Sequence, residues 1–168
     1  MQTIQSLCDT RDSRKVMMLS DRLIDFFKQQ GWWYQDASAD YALELDRLGV
    51  DAASEFGQFC LHVEDGPTFI WRGRELYQVC WFARNTDYAL AVRSCHATLG
   101  LPQAYLPLDS FEGESGYFYH RDTGQVLAVS LGSALLDFKE GGWTPQWLTF
   151  NDFLVHYFGL PADVLEQA

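Results

Sequence analysis

The chain has 168 residues, a hydrophobic fraction of 48% and a net charge of −11. This length fits one domain, and a chain with 6 Trp, 8 Tyr and 12 Phe carries too much apolar bulk to be intrinsically disordered. The acidic balance disfavours binding to nucleic acid or to an anionic membrane, because their phosphates repel it. The same charge attracts basic proteins.

The N-terminal stretch MQTIQSLCDTRDSRKVMMLS has mixed charges and no apolar run of signal-peptide length. No later run approaches the roughly 20 apolar residues that a membrane helix needs. The cysteines are scattered without a C-x-x-C pair, which is typical of free thiols in a reducing compartment: Cys8, Cys60, Cys80 and Cys95. We therefore expect a cytoplasmic protein without membrane insertion.

The first third of the chain has helical periodicity. Ser20 is suited to cap a helix through DRLIDFFKQQ that ends at Gly31. Ser38 and Gly49 bracket the segment SADYALELDRLG in the same way. These signals predict two helices, the first ending at Gly31 and the second capped by Ser38.

A third helix is predicted directly after the second, with Asp51 as its cap and its end at residues 64–66. Apolar residues repeat along it at helical spacing. Gly57 lies inside this helix, where glycine costs about 1 kcal/mol relative to alanine. We therefore expect another part of the chain to pack closely against Gly57.

From Pro67 onward the pattern changes to strands. The segments TFIWRG and ELYQVCWFAR are rich in aromatic and β-branched residues, and residues 72–74 are predicted to form the turn between them. A fourth helix fits NTDYALAVRSCHATLG, with Asn85 or Thr86 as its cap and Gly100 as its end.

The second half of the chain is predicted to form short strands and a closing helix. The strands are QAYLPLDS, GYFYHRD and GQVLAVSLG, with a hairpin turn at residues 122–124, and Thr149 begins the helix FNDFLVHYFGL. This order indicates an α+β fold with a mostly antiparallel mixed sheet, flanked by N-terminal helices and a closing C-terminal helix. We expect a single domain over residues 1–168, in which residues 1–19 form a loosely ordered extension.

Residue patterns that would support catalysis are weak. Cys95 and His96 are neighbours that a helix points about 100° apart, so they cannot pair as nucleophile and base. Nothing in the sequence promotes a pairing of Cys95 with His120 across the fold. The histidines lack zinc-binding spacing, and the glycines form no phosphate-binding motif. We therefore expect no enzyme, no cofactor and no metal site.

Acidic and aromatic residues accumulate in the loops of the second half. Although most rings are expected to build the core, tyrosine and tryptophan left beside surface carboxylates would suit an interface with a basic protein. The residues predicted to bind such a partner are Asp109, Glu112, Glu114, Tyr117, Asp122, Asp137, Glu140 and Trp143.

The stretch LELDRLGVDAASEFGQFCLHVEDG resembles the opening signature of the SUKH superfamily, in which a Leu-Gly-Ile/Val step leads into a Phe-Leu helix that ends in a glycine. The matching positions are Leu48, Gly49, Val50, Phe56, Phe59, Leu61 and Gly66. The stretch AYLPLDSFEGESGYFYHRDTGQVLAVSLG and the closing helix are also similar to the family, at Leu106, Pro107, Gly116, Tyr117, Asp122, Gly124, Val126, Thr149, Phe150, Phe153 and Leu154. The chain departs from the pattern at Ala52-Ala53, where the family often has proline, and at residues 64–66, which replace Asn-Gly-Gly.

The resemblance covers about residues 40–158 and implies a non-enzymatic α+β protein-binding scaffold. Most members are bacterial immunity proteins encoded beside a polymorphic toxin, and relatives include the secretion-associated Syd protein and fungal cell-wall regulators. We therefore predict an immunity protein that neutralises a cognate toxin, with a basic nuclease as the toxin that the charge favours. The alternatives are a housekeeping adaptor that binds a basic cytoplasmic segment of a membrane protein complex and, less favoured, a small enzyme. The sequence leaves the oligomeric state and the binding face open.

Overall fold

The structure is a computed structural model that describes residues 18–132, 135–136, 139–140 and 144–161. The predicted extension at residues 1–19 lies outside this part of the chain except for its last two residues. Among the described residues, no helix combines the length and the apolar character needed to cross a membrane. The fold class is α+β, as predicted.

The first third of the chain forms three helices: α1 (Asp21–Gln30), α2 (Ala39–Leu48) and α3 (Glu55–His62). The predicted caps of the first two are confirmed. The hydroxyl of Ser20 accepts a hydrogen bond from the N–H of Leu23, and the hydroxyl of Ser38 accepts one from Tyr41. A glycine with a left-handed φ follows each of these two helices, as the sequence indicates.

The cap of α3 is Ser54, and the prediction of Asp51 was wrong. The Ser54 hydroxyl accepts the N–H of Gly57 at 3.0 Å, whereas the Asp51 carboxylate accepts the N–H of Ala53 in a turn just before the helix. Both residue types are good caps, so the sequence alone does not separate them. The close packing expected at Gly57 is confirmed, because a Cβ there would lie 2.7 Å from the carbonyl oxygen of Ala52.

The first sheet is an antiparallel hairpin of β1 (Thr68–Trp71) and β2 (Arg74–Tyr77). Its two-residue turn has a positive φ at both positions, including 51° at Arg72, which matches the twist of a tight hairpin. The register pairs Phe69 with Leu76 in the core and Ile70 with Glu75 on the opposite face. The predicted turn is thereby confirmed.

The residues after β2 correct the sequence prediction, which continued the strand. They form helix α4 (Val79–Asn85). Gln78 begins the helix, because its side-chain oxygen accepts the N–H of Cys80 at 3.2 Å. The apolar run is too short for its periodicity to separate a buried helix from a buried strand.

Gln78 is fully buried and ties three elements together. Its side-chain amide donates to the carbonyl oxygen of Cys60 at 3.2 Å and to that of Val63 at 2.6 Å, both at the C-terminal end of α3. Its main-chain N–H donates to the carbonyl of Pro67, just before β1. This side chain therefore fixes the end of α3 against the hairpin and against α4.

Helix α5 (Tyr88–Leu99) follows, and its cap is Asp87, which corrects the prediction of Asn85 or Thr86. The Asp87 carboxylate accepts a hydrogen bond from the first turn of α5. The Thr86 hydroxyl is engaged elsewhere, since it donates to a carbonyl at the end of α4. The helix ends at the predicted glycine.

The second sheet is antiparallel, with the strand order β3 (Tyr105–Pro107), β4 (Ser115–His120) and β5 (Val126–Ser130). The predicted turn at residues 122–124 joins β4 to β5 and is confirmed. The N–H of Tyr77 in β2 donates to the carbonyl of Leu108 after β3 at 2.7 Å, which links the two sheets. The antiparallel arrangement is thus as predicted, in two small sheets joined at their edges.

The closing helix α6 (Phe150–Tyr157) begins after Thr149, whose hydroxyl caps it as predicted. The hydroxyl of Tyr157 lies 3.1 Å from the carbonyl oxygen of Phe69 and 2.6 Å from that of Arg74, so the helix holds the underside of the hairpin. Aromatic rings dominate the core that α6 forms with α1, α3 and the hairpin. The fully buried phenylalanines of this core are Phe27, Phe56, Phe59, Phe69, Phe150, Phe153 and Phe158.

We predict that Gln78→Leu lowers the free energy of unfolding by about 2–4 kcal/mol, because it leaves two carbonyl groups and one N–H group without their buried partner. Chemical denaturation monitored by tryptophan fluorescence would measure the loss. Gln29→Leu, on the exposed face of α1, is the matched control and should change stability by less than about 0.5 kcal/mol. Equal stabilities for the two variants would contradict the structural role of Gln78.

Candidate protein-binding surface

The structure separates the residues that the sequence predicted to bind a partner. Four of them are exposed: Glu112, Glu114, Asp122 and Glu140. Asp109 and Tyr117 are buried, which corrects the expectation that they are displayed at the surface. Asp137 and Trp143 lie outside the described residues.

Asp109 is buried because its carboxylate shapes the connection between β3 and β4. One of its oxygens accepts the N–H of Phe111 at 3.1 Å, and the other accepts the N–H of Tyr117 at 3.2 Å. The approach requires a glycine at position 116, where a Cβ would lie 2.5 Å from the carboxylate of Asp109. The carboxylate therefore acts first as a clamp on this loop.

Tyr117 is buried because its ring packs against the closing helix. The ring lies with its centre 4.9 Å from that of Phe153 and 5.8 Å from that of Trp147, both in edge-to-face contacts. The guanidinium of Arg74 lies 4.5 Å from the centre of the same ring. Tyr117 thus contacts Arg74, which lines a surface feature that Tyr117 itself does not line.

That feature, which we call the acidic depression, is a half-open cavity of about 240 Å³ between the β1–β2 hairpin and the β3–β4 loop. The residues that line it are Ile70, Gly73, Arg74, Glu75, Asp109, Glu112 and Ser115. It contains two of the residues predicted from the sequence, Asp109 and Glu112. The hairpin supplies the remaining charged groups.

Carboxylates outnumber cations in the acidic depression, with Glu75, Asp109 and Glu112 against Arg74. Glu75 is held in place by the β3–β4 loop, because its carboxylate accepts hydrogen bonds from the main-chain N–H, at 2.7 Å, and from the hydroxyl of Ser110. Burial raises the pKa of Asp109 to about 6, and the hydrogen bonds from the loop N–H groups partly oppose this rise. Asp109 is therefore mainly ionised at neutral pH, and the depression attracts cations.

The backbone of both loops that border the depression is conformationally strained. Among the described residues, the non-glycine residues with positive φ are Arg72, Phe111 and Glu114, at 51°, 58° and 63°. Arg72 lies at the tip of the hairpin, and the other two lie in the β3–β4 loop. Such residues cost of order 1–3 kcal/mol each and cluster at binding sites, so their position agrees with a functional role for this surface.

The sequence prediction missed the contribution of the hairpin. Ile70 is 63% exposed although it is a large apolar residue in a strand, and it lies opposite Glu75 on the same face. The sequence does indicate that Ile70 and Glu75 share a face, because the turn at residues 72–74 and the alternation within TFIW and RELY set the register of the hairpin. The sequence pattern does not show that Ile70 and Glu75 lie near Asp109, because that proximity depends on the contact between the two sheets.

Three of the exposed acidic residues do not line the depression: Glu114 lies in the same loop as Glu112, whereas Asp122 and Glu140 lie on other parts of the surface. Asp122 lies in the turn after β4, whereas Glu112 and Glu114 precede that strand. A strand of six residues separates the two ends by roughly 17–20 Å. Glu140 lies between β5 and α6 and does not line the depression.

The groups considered for catalysis are engaged in structural contacts. His96 Nε2 lies 2.8 Å from the carbonyl oxygen of Tyr105, and His120 Nδ1 accepts main-chain N–H groups from the following turn. Burial raises the pKa of the Cys95 thiol and that of the Cys60 thiol, which favours the unreactive protonated form. Within the described ranges, no cluster of histidine, cysteine, aspartate or glutamate could hold a metal ion.

No protein-family model, curated protein or solved structure matches this chain. The resemblance to the SUKH superfamily therefore remains a prediction from the sequence.

We predict that Asp109→Asn changes how stability depends on pH. The fold favours protonated Asp109, since burial raises its pKa from 3.8 to about 6, so its contribution to stability is greatest below about pH 4 and is lost as the pH rises through 6. The wild-type protein should lose up to about 3 kcal/mol more than the variant between pH 4 and pH 6.5. Denaturant titrations at several pH values would measure the difference.

The variant keeps one oxygen to accept a loop N–H and does not ionise, so the pH dependence of its stability becomes flatter. Asp46→Asn, which removes an exposed carboxylate on α2, is the matched control. Parallel pH profiles for the wild type and Asp109→Asn would show that Asp109 is not desolvated as described.

Proposed function

We propose that this chain is a non-catalytic protein-binding domain that neutralises a toxin by binding it, with the acidic depression as the centre of the contact. The observation that carries the proposal is the combination of three carboxylates with the exposed side chain of Ile70 in one cavity. Protein interfaces combine apolar surface at their centre with a polar rim, and Ile70 with the surrounding carboxylates offers both.

The depression is suited to receive a lysine or arginine side chain of the partner. Glu75 is already oriented by Ser110, so it loses little conformational freedom on binding. Arg74 is drawn toward the ring of Tyr117, which leaves the carboxylates available to an incoming cation. Ile70 offers apolar surface to the methylene groups of the same side chain.

The net charge of −11 supports a basic partner. Long-range attraction between opposite charges raises association rates toward about 10⁸–10⁹ M⁻¹s⁻¹ at low salt, and rapid capture is useful against a toxin. A basic nuclease is the class of toxin that this charge favours. The proposal of a toxin itself rests on the resemblance to the SUKH superfamily.

The absence of a catalytic role is supported by what surrounds the reactive groups of the described chain. The imidazoles of His96 and His120 contact main-chain groups, and the thiols of the buried Cys60 and the half-buried Cys95 have raised pKa values. A nucleophile needs an adjacent base and an accessible position, and none of these groups combines the two among the described residues.

We predict that co-expression of this chain restores the growth of cells that express the toxin encoded beside it, and that Glu75→Gln with Glu112→Gln removes this protection. The two substitutions preserve shape while they delete two charges, and we expect the affinity for the toxin to fall by about tenfold or more. Growth curves and calorimetric titration of the purified pair would measure both effects.

The matched control is Asp25→Asn with Asp46→Asn, which deletes the same amount of charge from exposed positions on α1 and α2. This control should retain protection, although its association should slow slightly. An equal loss of protection in both double variants would show that binding depends on the net charge of the chain and not on the position of the carboxylates in the depression. Failure of the wild type to protect cells would refute the immunity function.

A further inference from the structure

The outer edge of β1 carries main-chain groups without a strand partner in the described residues. The sheet that contains β1 has the order β1–β2, so β2 covers only one side of it. An edge strand of this kind presents N–H and C=O groups to which another strand can hydrogen bond. Such an edge is a potential site for partner binding by strand addition.

The register identifies the main-chain groups that point outward. The N–H of Tyr77 in β2 donates away from β1, to the carbonyl of Leu108. Tyr77 and its partner Thr68 therefore form a non-hydrogen-bonded pair, and Ile70 with Glu75 forms the next pair of this type. It follows that the N–H and C=O groups of Thr68 and Ile70 face the outer edge of β1.

This edge lies directly beside the acidic depression. Ile70 is 63% exposed and belongs both to the outer edge and to the wall of the depression. Adjacent strands lie about 4.8 Å apart, so a strand added to β1 would lie about 10 Å from β2. An extended lysine or arginine side chain on the added strand would cross Ile70 and meet the carboxylate of Glu75.

We propose that the outer edge of β1 pairs with an extended, lysine- or arginine-bearing segment of the protein partner. The inference rests on the proposed function and specifies how the partner is held. Main-chain hydrogen bonds to Thr68 and Ile70 supply affinity, and alternate side chains that reach the acidic depression supply selectivity. A second copy of this chain is disfavoured as the occupant, because two molecules of charge −11 repel each other.

The first experiment uses a blocked octapeptide of alternating lysine and threonine as the probe of the isotope-labelled protein. We expect binding to slow hydrogen exchange at the amides of Thr68 and Ile70 by about tenfold or more, as measured by nuclear magnetic resonance. The matched peptide has proline in place of threonine, so it keeps its four lysines but cannot form a strand ladder. It should bind at least about tenfold more weakly, and a glutamate–threonine peptide should show no binding.

The second experiment compares two substitutions at one position. Ile70→Pro removes the outward N–H and leaves the hydrogen bonds between β1 and β2 intact, whereas Ile70→Val keeps that N–H and an apolar, β-branched side chain. We expect Ile70→Pro to weaken binding of the lysine–threonine peptide by about tenfold and Ile70→Val by less than about threefold. Circular dichroism and thermal unfolding establish whether each variant is folded. If Ile70→Pro does not fold, strand addition is tested on the wild-type protein by hydrogen exchange at Thr68 and Ile70 and by comparing the affinities of the threonine- and proline-containing peptides.

The outcomes separate this inference from the proposed function. Equal binding of the threonine and proline peptides, both weakened by Glu75→Gln with Glu112→Gln, would overturn strand addition while it left the depression as a cation-binding surface. Protection of amides elsewhere, or no binding at millimolar peptide, would also overturn it. So would concentration-dependent dimerisation that protects Thr68 and Ile70 without peptide, since the occupant would then be a second copy.

Discussion

The hydrogen bonds of the buried Gln78 amide are the constraint on which the arrangement of the two sheets depends. Helix α3 ends with carbonyl groups that no helical N–H reaches, and burial makes such groups costly unless another donor is supplied. Gln78 supplies that donor to Cys60 and Val63 while its own N–H bonds to Pro67. Gln78 therefore fixes the end of α3, the start of the β1–β2 hairpin and the start of α4 relative to one another. Because Tyr77 then bonds to Leu108, the position of the second sheet follows from the same point.

The acidic depression depends on this arrangement, because it is lined by residues of both the β1–β2 hairpin and the β3–β4 loop. The carboxylate of Asp109 folds the β3–β4 loop back on itself, and the glycine at position 116 leaves room for it. The loop in turn orients Glu75 through Ser110. Burying the carboxylate of Asp109 would be costly without hydrogen bonds, and the two loop N–H groups supply them. The carboxylate also lines the depression, so its charge adds to the negative potential there. Asp109 therefore both holds the loop and contributes negative charge to the acidic depression.

Local signals in the sequence account for much of the fold, whereas contacts between distant residues account for the errors. The caps Ser20, Ser38 and Thr149 were predictable because a cap acts within one turn of its own helix. The strand predicted through residues 79–84 became α4 because a short apolar run carries no decisive period. In the candidate site, Glu112 was predictable as an exposed acidic loop residue, but the burial of Asp109 depended on a hydrogen bond to Tyr117, eight residues away. Ile70 and Glu75 join the site only through packing between sheets.

The side chain of Asn151, near the start of α6, bonds to the main chain at both Met18 and Ser20, and its own N–H donates to Glu55 of α3. The first and last described helices therefore meet across a separation of about 130 residues. During synthesis on the ribosome, the apolar surfaces of α1 and α3 that pack against α6 remain exposed to solvent until α6 has been made. Contacts of such long sequence separation slow folding and lengthen exposure to aggregation. Nascent chains of this protein should accordingly expose the apolar surface that α6 covers until that helix has emerged.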